Sequence, residues 1–485
     1  MKKVYLKPKK DLIEKYGDRQ GSFYTFYPMN GLWREDVGGN DYLNAIDQLI
    51  QQRPESPLSL YIHFPFCIKQ CLFCHCMTVI SSRKGDHHKF VDYMLRELDL
   101  LHRHFKSKGF KPNFKELHFG GGSPSIIPDE DFLRIWEALK PMLQPEDLSE
   151  CTIEIDPRYG ASIERLRFYR SLGIDRISFG VQDFDEEVGK IINRVNPEEM
   201  IEALLTDEVR QMFTSINFDL IYGLPQQTPE KFKKTVRTAI RLNPDRLAVY
   251  VIGHRPDIYK HQRAFEKYYM ADSHESAIMF VDAVNEFIAN GYDFIGIDHL
   301  AKSTDVLSIA KKDGTLFRNA IGYTPGRSVD IIGLGPSSMG IVGGNYFQNC
   351  YTLPTYYDAI DRGELPIIRG FESNLDDLIR REVMFDIVLV ERIDKKKITA
   401  EFKIENFDKY FRNELKALKE FEQDGLVSMH EEEIRVTDVG RFFQRQICQV
   451  FDVYNRQLGY THSREFDDGK TGLDRKVQMS VASKN

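Results

Sequence analysis

Four cysteines fall within ten residues, in the stretch CIKQCLFCHC from Cys67 to Cys76. The whole chain of 485 residues has only seven, so the cluster is not a matter of composition. Cys67, Cys71 and Cys74 are spaced C-x3-C-x2-C, and Cys76 adds C-x-C. A structural zinc site would want a second close pair elsewhere, but Cys151, Cys350 and Cys448 each stand alone. A [4Fe–4S] cluster held by three thiolates, with one iron left open for an exogenous ligand, fits the count better. Three thiolates on a short loop can each face a different iron, whereas Cys76 would have to double back to reach the same cube. The spacing therefore favours Cys67, Cys71 and Cys74 as ligands and Cys76 as a non-ligand.

Such a loop needs a scaffold. Apolar, β-rich runs recur at 58–64, 116–121, 152–157, 176–182, 215–225, 246–253 and 293–299. Stretches of helical period lie between them, for example Phe90, Met94, Leu98 and Leu101 behind Asp86. Alternation of this kind predicts parallel βαβ units closing into a barrel or partial barrel. The runs are almost continuously apolar, as strands covered on both faces should be. Polar residues gather at their C-terminal ends: the cysteines, Gly120-Gly121-Gly122-Ser123, Glu154, Gln182, Asp219 and His254. That is the end of a parallel barrel where chemistry is done. Beyond about residue 370 the pattern changes to helices at 376–391 and 405–424, a two-stranded ribbon and a helix over 438–453. This order resembles a winged-helix unit serving as a lid or packing module. The expected division is an N-terminal arm (1–55), a barrel domain (56–365), a C-terminal domain (366–460) and a disordered tail (461–485).

Composition removes several functions. No apolar run approaches the ~20 residues of a membrane helix, and the basic N-terminus lacks the apolar core of a secretory signal. A net charge of −7 argues against nucleic-acid binding, which wants a basic footprint. An odd number of cysteines in a chain this long is no disulfide framework, and a cytoplasmic location is expected.

C-x3-C-x2-C behind a strand resembles the motif of radical S-adenosylmethionine (SAM) enzymes. The likeness extends further. YIHFPFC, LHFGGGSPS, EIDPR, GVQDF, INR, DLIYGLPQQTPE, HRP, GIDHLA, RN..GYT and VTDVGRFFQRQIC..FD occur in order between about Tyr24 and Asn455. Together they resemble the oxygen-independent coproporphyrinogen III oxidase (dehydrogenase) family. The resemblance implies an α/β fold, a radical SAM partial (β/α)6 barrel with an N-terminal arm and a C-terminal helical, winged-helix-like domain. It implies oxidative decarboxylation of two coproporphyrinogen III propionates to vinyl groups through a 5′-deoxyadenosyl radical. The cofactors would be a [4Fe–4S] cluster and two SAM molecules, with an electron donor such as flavodoxin or ferredoxin and no obligatory partner subunit. By motif, Tyr61, Gly121, Glu154 and Met339 would hold the cluster-bound SAM. Phe73, Gly122, Ser123, Gln182, Arg194, Asp219 and Gly253 would line the second, and Tyr61, His75 and Cys76 are the catalytic candidates.

The family pattern is broken in one half of these motifs. Where the family writes G-C-N-K the chain has His75-Cys76-Met77-Thr78, and its arm reads Phe23-Tyr24-Thr25-Phe26-Tyr27-Pro28-Met29. Val251-Ile252-Gly253 replaces Asn-Tyr-Ala, and Ile321 replaces a Gln. The radical-generating residues are intact, while polar residues expected near the substrate are exchanged for apolar or bulkier ones. Besides the family reaction, two alternatives stay open: a related radical SAM enzyme acting on another substrate or transferring methyl from the second SAM, and a non-catalytic haem- or cluster-binding protein.

Overall fold

A computed structural model describes residues 4–16, 26–143 and 145–454. The tail expected to be disordered and the first part of the arm motif, Phe23 to Thr25, lie outside them.

Six apolar runs become the strands β1 (Leu58–Phe64), β2 (Phe114–Gly121), β3 (Glu150–Ile155), β4 (Arg176–Gln182), β5 (Ser215–Tyr222) and β6 (Arg246–Val251). Each pairs in parallel with the next in chain order, and helices cross between them. Helix Lys84–Ser107 buries Phe90, Met94, Leu98 and Leu101, the residues whose spacing announced it. Helix Pro229–Leu242 is capped by Thr228, whose side chain accepts from Lys231 N, and ends on Asn243 at φ 56°. Every β4 residue from Ile177 to Phe179 is buried, as parallel strands between two layers require.

The seventh run departs from expectation. It is a hairpin, β7 (Tyr292–Gly296) and β8 (His299–Lys302), with β8 antiparallel to β6. Ile297 at the turn takes φ 39°, so the chain reverses inside what reads as one strand. At the other edge, β9 (Asp330–Leu334) lies parallel to β1. β10 (Met339–Val342), β11 (Asn345–Asn349) and β12 (Ile367–Phe371) then extend the sheet antiparallel. The result is a twelve-stranded sheet in the order β12-β11-β10-β9-β1-β2-β3-β4-β5-β6-β8-β7.

The C-terminal part has its own apolar core, with Val383, Ile387, Leu418, Phe421, Ile434 and Ile447. Its ribbon has three strands, not two: Arg392–Asp394 pairs with Glu433–Val436, which pairs with Val427–Met429. The last helix is shorter than expected, a 3-10 turn at Gly440–Phe443 running into Gln444–Val450. Ile13, Tyr16 and Tyr27 of the arm join this core, so the arm fastens the two halves together. Among the described residues, no helix is long and apolar enough to cross a membrane.

Candidate functional site

The cysteine loop is closed at its base. Phe66–Cys67 pairs in parallel with Val79–Ile80, and Ser81 N donates to Cys67 O at 3.0 Å. Residues 68–78 therefore form an excursion off the end of β1, folded over the barrel mouth. The glycine turn after β2 locks beneath it: Gly122 N donates to Phe64 O at 2.7 Å and Ser123 N to Phe66 O at 2.8 Å. A Cβ on Gly122 would lie 2.5 Å from Phe66 O, and Gly121 sits at φ 107° with the His63 ring 2.6 Å from its own would-be Cβ. Only glycine fits at either position.

A cavity of about 730 Å³ opens between the loop and the strand ends. Cys67, Cys71, Cys74 and Cys76 line it, with Phe73, Gly121, Gly122, Glu154, Gln182, Arg194 and Asp219. Residues from six stretches of the chain thus reach one space. Cys71 Sγ accepts from Arg158 Nη2 and Arg194 Nη1, each at 3.4 Å. Cys76 N donates to Cys74 Sγ at 3.4 Å. Three soft donors on one wall, backed by cations and a backbone N–H, suit an iron–sulfur cluster.

The charged residues have definite partners. Arg194 Nη1 bonds Asp156 Oδ2 at 3.1 Å, and its Nε donates to Gly180 O at 2.9 Å. Arg158 meets the same Asp156 at 2.7 Å. Burial opposes ionisation of Asp156, yet the Arg194 and Arg158 guanidiniums beside it hold its carboxyl below the usual range. Asp219 has no such cation; it accepts from Asn217 Nδ2 at 2.8 Å and Ser178 Oγ at 3.3 Å. Burial, with the nearby charge of Glu154, pushes its carboxyl up to about 6. Glu154 takes Gly121 N at 3.2 Å and His118 Nε2 at 3.0 Å on its two oxygens. Gln182 is buried and holds φ 71°, a left-handed conformation stored at the site.

Matched against family models, residues 61–239 fit the radical SAM superfamily and 374–443 the HemN C-terminal domain. The oxygen-independent coproporphyrinogen III oxidase of Escherichia coli (strain K12) is 37% identical over 446 residues, 92% of this chain and 95% of that one. The chain belongs to the oxygen-independent coproporphyrinogen III oxidase family. A Pseudomonas aeruginosa relative of the same name is 36% identical over 453 residues, 92% of this chain and 97% of its own length. The solved coproporphyrinogen III oxidase of Escherichia coli, described as a radical SAM enzyme, superposes with TM-score 0.85 at 35% identity, covering 93% of this chain and all of that one. Radical SAM membership implies a [4Fe–4S] cluster and SAM, and the thiol wall fits them.

Several residues expected at the cofactors stand outside the cavity wall. Tyr61 and Met339 pack against the cluster of Trp33, Ile331, Ile341 and Tyr346, where the arm meets the sheet. Tyr61 Oη is 3.2 Å from His63 Nδ1, and its ring stacks on His118 at 5.7 Å. Ser123 is buried against Ser125. His75 and Gly253 form a pair: the His75 ring stacks on Tyr259 at 4.0 Å and lies where a Cβ on Gly253 would be, 2.5 Å from Cε1. Gln262 Nε2 is 2.9 Å from His75 Nε2 and 3.3 Å from Phe73 O, and His261 Nε2 is 3.0 Å from Cys74 O. The segment after β6 thus clasps the cysteine loop. Motif spacing left Arg158, Asp156, His118 and Gln262 unassigned. The first two stand in plain view in EIDPR, while Gln262 carries no motif.

A second cavity of about 890 Å³ continues into the barrel below Glu154, Ser178 and Asp219. Glu116, His118, Glu150, Arg176, Tyr250, His299 and Ile321 line it. Arg246 closes it, bonding Glu150 at 2.8 Å and Asp305 at 2.9 Å.

Proposed function

We propose that this chain carries out the reaction of its family, oxidative decarboxylation of coproporphyrinogen III propionates to vinyl groups in porphyrin synthesis, from a cytoplasmic location and as a monomer. The observation that carries it is the convergence of three cysteines, a glycine turn, Glu154, Arg194 and Asp219 on one cavity at the C-terminal ends of the parallel strands. Cys67, Cys71 and Cys74 hold the cluster. When bound, cluster and SAM together supply a 5′-deoxyadenosyl radical by one-electron reduction.

The protein's own groups do the rest by position. Arg158 and Arg194 hold the Cys71 sulfur in place. Glu154 offers its carboxylate to the hydroxyl and ammonium groups of the cluster-bound SAM, and Gly121 N–H and His118 fix the carboxylate's orientation. Phe73, Gly122, Gln182, Arg194 and Asp219 line room for a second SAM. Asp219 Oδ carries a proton in acid and sheds it above about 6, so near neutral pH it presents a charge to an ammonium or ribose group. The cysteine loop and the segment after β6 roof the cavity and limit water around a reactive radical.

Anaerobic reconstitution with iron and sulfide, followed by SAM, reductant and coproporphyrinogen III, tests the reading. The expected products are CO2, 5′-deoxyadenosine and protoporphyrinogen. Deoxyadenosine without decarboxylation would transfer the activity to another substrate, a reading favoured by Ile321 facing the second cavity. S-adenosylhomocysteine as main product would mean methyl transfer.

A further inference from the structure

Three side chains that line the lower cavity, His118, Asn217 and His299, are fixed as hydrogen-bond acceptors. Asn217 Nδ2 donates to Ser178 Oγ and Asp219 Oδ1, each at 2.8 Å. Its Oδ1 is left over, buried and without a partner among the described residues. His299 Nδ1 lies 2.5 Å from Asp298 Oδ1. Burial works against the Asp298 carboxyl, but the Arg318 guanidinium and His299 hold it down at about 2. The proton between the two therefore sits on Nδ1, and Nε2 keeps its lone pair. Burial lowers the pKa of the His299 imidazole, which keeps the ring neutral. His118 repeats the pattern: Nε2 faces Glu154 Oε1 at 3.0 Å, the oxygen accepts, and Nδ1 is left as an acceptor. The turn that delivers His299 is strained, because the β-branched Ile297 before it holds φ 39°. Such strain gathers where function requires a residue to be placed.

Few groups oppose this bias. Arg176 Nη1 is taken by Glu150 and Thr152 at 3.1 and 3.2 Å, which leaves its Nε as a donor. Tyr323 Oη, also unpartnered among the described residues, can donate or accept. Glu116, Glu150, Glu154 and Asp219 line the same space, so it is unfavourable to anions. Buried water satisfies single polar atoms, but water donates and accepts alike and needs no surplus of acceptors.

We propose that the lower cavity is a pyrrole pocket, in which His118, Asn217 and His299 accept hydrogen bonds from the ring N–H groups of a reduced tetrapyrrole. The proposal rests on the coproporphyrinogen reading above and adds to it which edge of the substrate enters the barrel. A porphyrinogen carries four neutral N–H donors at its centre and its carboxylates at the periphery. The donors match the lower cavity, whose carboxyls would repel the propionates. In each pyrrole the nitrogen and the propionate-bearing carbon lie on opposite edges. An N–H held below thus turns the propionate up toward Glu154 and Asp219, which both cavities share. A porphyrin, planar and with half the N–H groups, matches less well, so the pocket selects the reduced ring.

The test uses reconstituted holoenzyme in wild type, in His299→Phe, which removes the acceptor, and in His299→Gln, which restores one. Anaerobic calorimetry without reductant gives the Kd for coproporphyrinogen III and for coproporphyrin III, and turnover with dithionite follows. Wild type is expected to bind the porphyrinogen at least about tenfold more tightly than the porphyrin. His299→Phe should raise the porphyrinogen Kd and KM about tenfold, the value of one buried hydrogen bond. His299→Gln should recover most of that loss, and the KM for SAM should not move in either variant. An unchanged porphyrinogen Kd in His299→Phe overturns the pocket, as does the absence of recovery in His299→Gln. A parallel rise in the KM for SAM overturns it too, by placing His299 at the cofactor. Equal affinity of wild type for the two rings overturns it with no variant, so a misfolded His299→Phe does not shelter the proposal. Wild type that binds the porphyrinogen through His299 and forms deoxyadenosine, but releases no CO2, would uphold the pocket and sink the decarboxylation reading. Wild type that binds no porphyrinogen overturns both.

Discussion

The two cavities inside the barrel share Glu154, Ser178 and Asp219 but differ in everything else that lines them. The upper one has sulfur, glycine backbone and the buried Arg194, itself bonded to Asp156, Gly180 and Cys71. The lower one is charge against charge: Glu150 between Arg176 at 3.1 Å and Arg246 at 2.8 Å, and Glu116 taking Ser59 Oγ at 2.6 Å. The lower carboxylates are held by cations and hydroxyls of the protein, although Arg176 Nε, Asn217 Oδ1 and Tyr323 Oη there have no protein partner among the described residues. A buried charge without a partner is costly, so charges that are already paired hold the barrel's base together. Those left with open valence at its mouth are the ones available for chemistry.

The largest effect should come from the upper cavity. Cys71→Ser is expected to abolish the cluster, seen as loss of visible absorbance and of bound iron after reconstitution, and to remove all deoxyadenosine formation while the fold survives. Cys76→Ser should keep the cluster, because the serine retains the backbone N–H that donates to Cys74 Sγ and the C-x3-C-x2-C thiols are untouched. Cluster loss in Cys76→Ser, or retention in Cys71→Ser, would redraw the ligand set. The lower cavity should behave in the opposite way. Burial works against the Glu150 carboxyl, but Arg246 and Arg176 hold it down at about 2. A depressed acid contributes stability above its unfolded value of 4.5, and that contribution drains away as pH falls toward 2. Glu150→Gln should therefore cost about 3 kcal/mol at pH 7, read by urea unfolding. The gap to wild type should narrow steadily below pH 4.5, and reconstituted iron content should not change. A gap that stays constant down to the lowest accessible pH would show that packing, not charge, is at work.

The same contrast explains what could be read in advance. The upper cavity is written in contiguous words: Cys67 to Cys76, Gly120 to Ser123, Glu154 to Arg158. Each word supplies several lining groups because it sits at one strand end, where consecutive residues face one space. The lower cavity is assembled from single residues on different strands, Glu116, Glu150, Arg176 and Arg246, whose pairing depends on the register between strands. No local pattern encodes that register. The parallel strands were legible from their apolar runs for the same local reason. The β7–β8 reversal was not, because Ile297 is an apolar residue in a left-handed turn and nothing in its type marks one. The surroundings of Tyr61 and Met339 were hidden for a related reason. Their motifs fix their strands, but the apolar cluster they pack against includes the arm residue Trp33, from a separate segment of the sequence.

The smallest effect belongs to the roof, where this chain leaves the family pattern at two positions that touch. His75 stands where the family has glycine, and Gly253 where it has alanine, and the ring of the first fills the space vacated by the second. Gly253→Ala would set a methyl 2.5 Å from His75 Cε1, so the ring must leave Tyr259 and Gln262. The thiols do not move, and iron content is expected to stay at the wild-type level. The loop carrying Phe73 and Cys74 loses one of its clasps, however, and the KM for SAM should rise a few-fold with little change in kcat. The rescue separates a paired exchange from two unrelated drifts. Removing the ring in His75→Gly/Gly253→Ala should return KM toward wild type, giving a coupling of about 1 kcal/mol in the double-mutant cycle. Strictly additive effects would mean that His75 and Gly253 occupy adjoining space without depending on each other, and would leave Gln262 and His261 as the clasp.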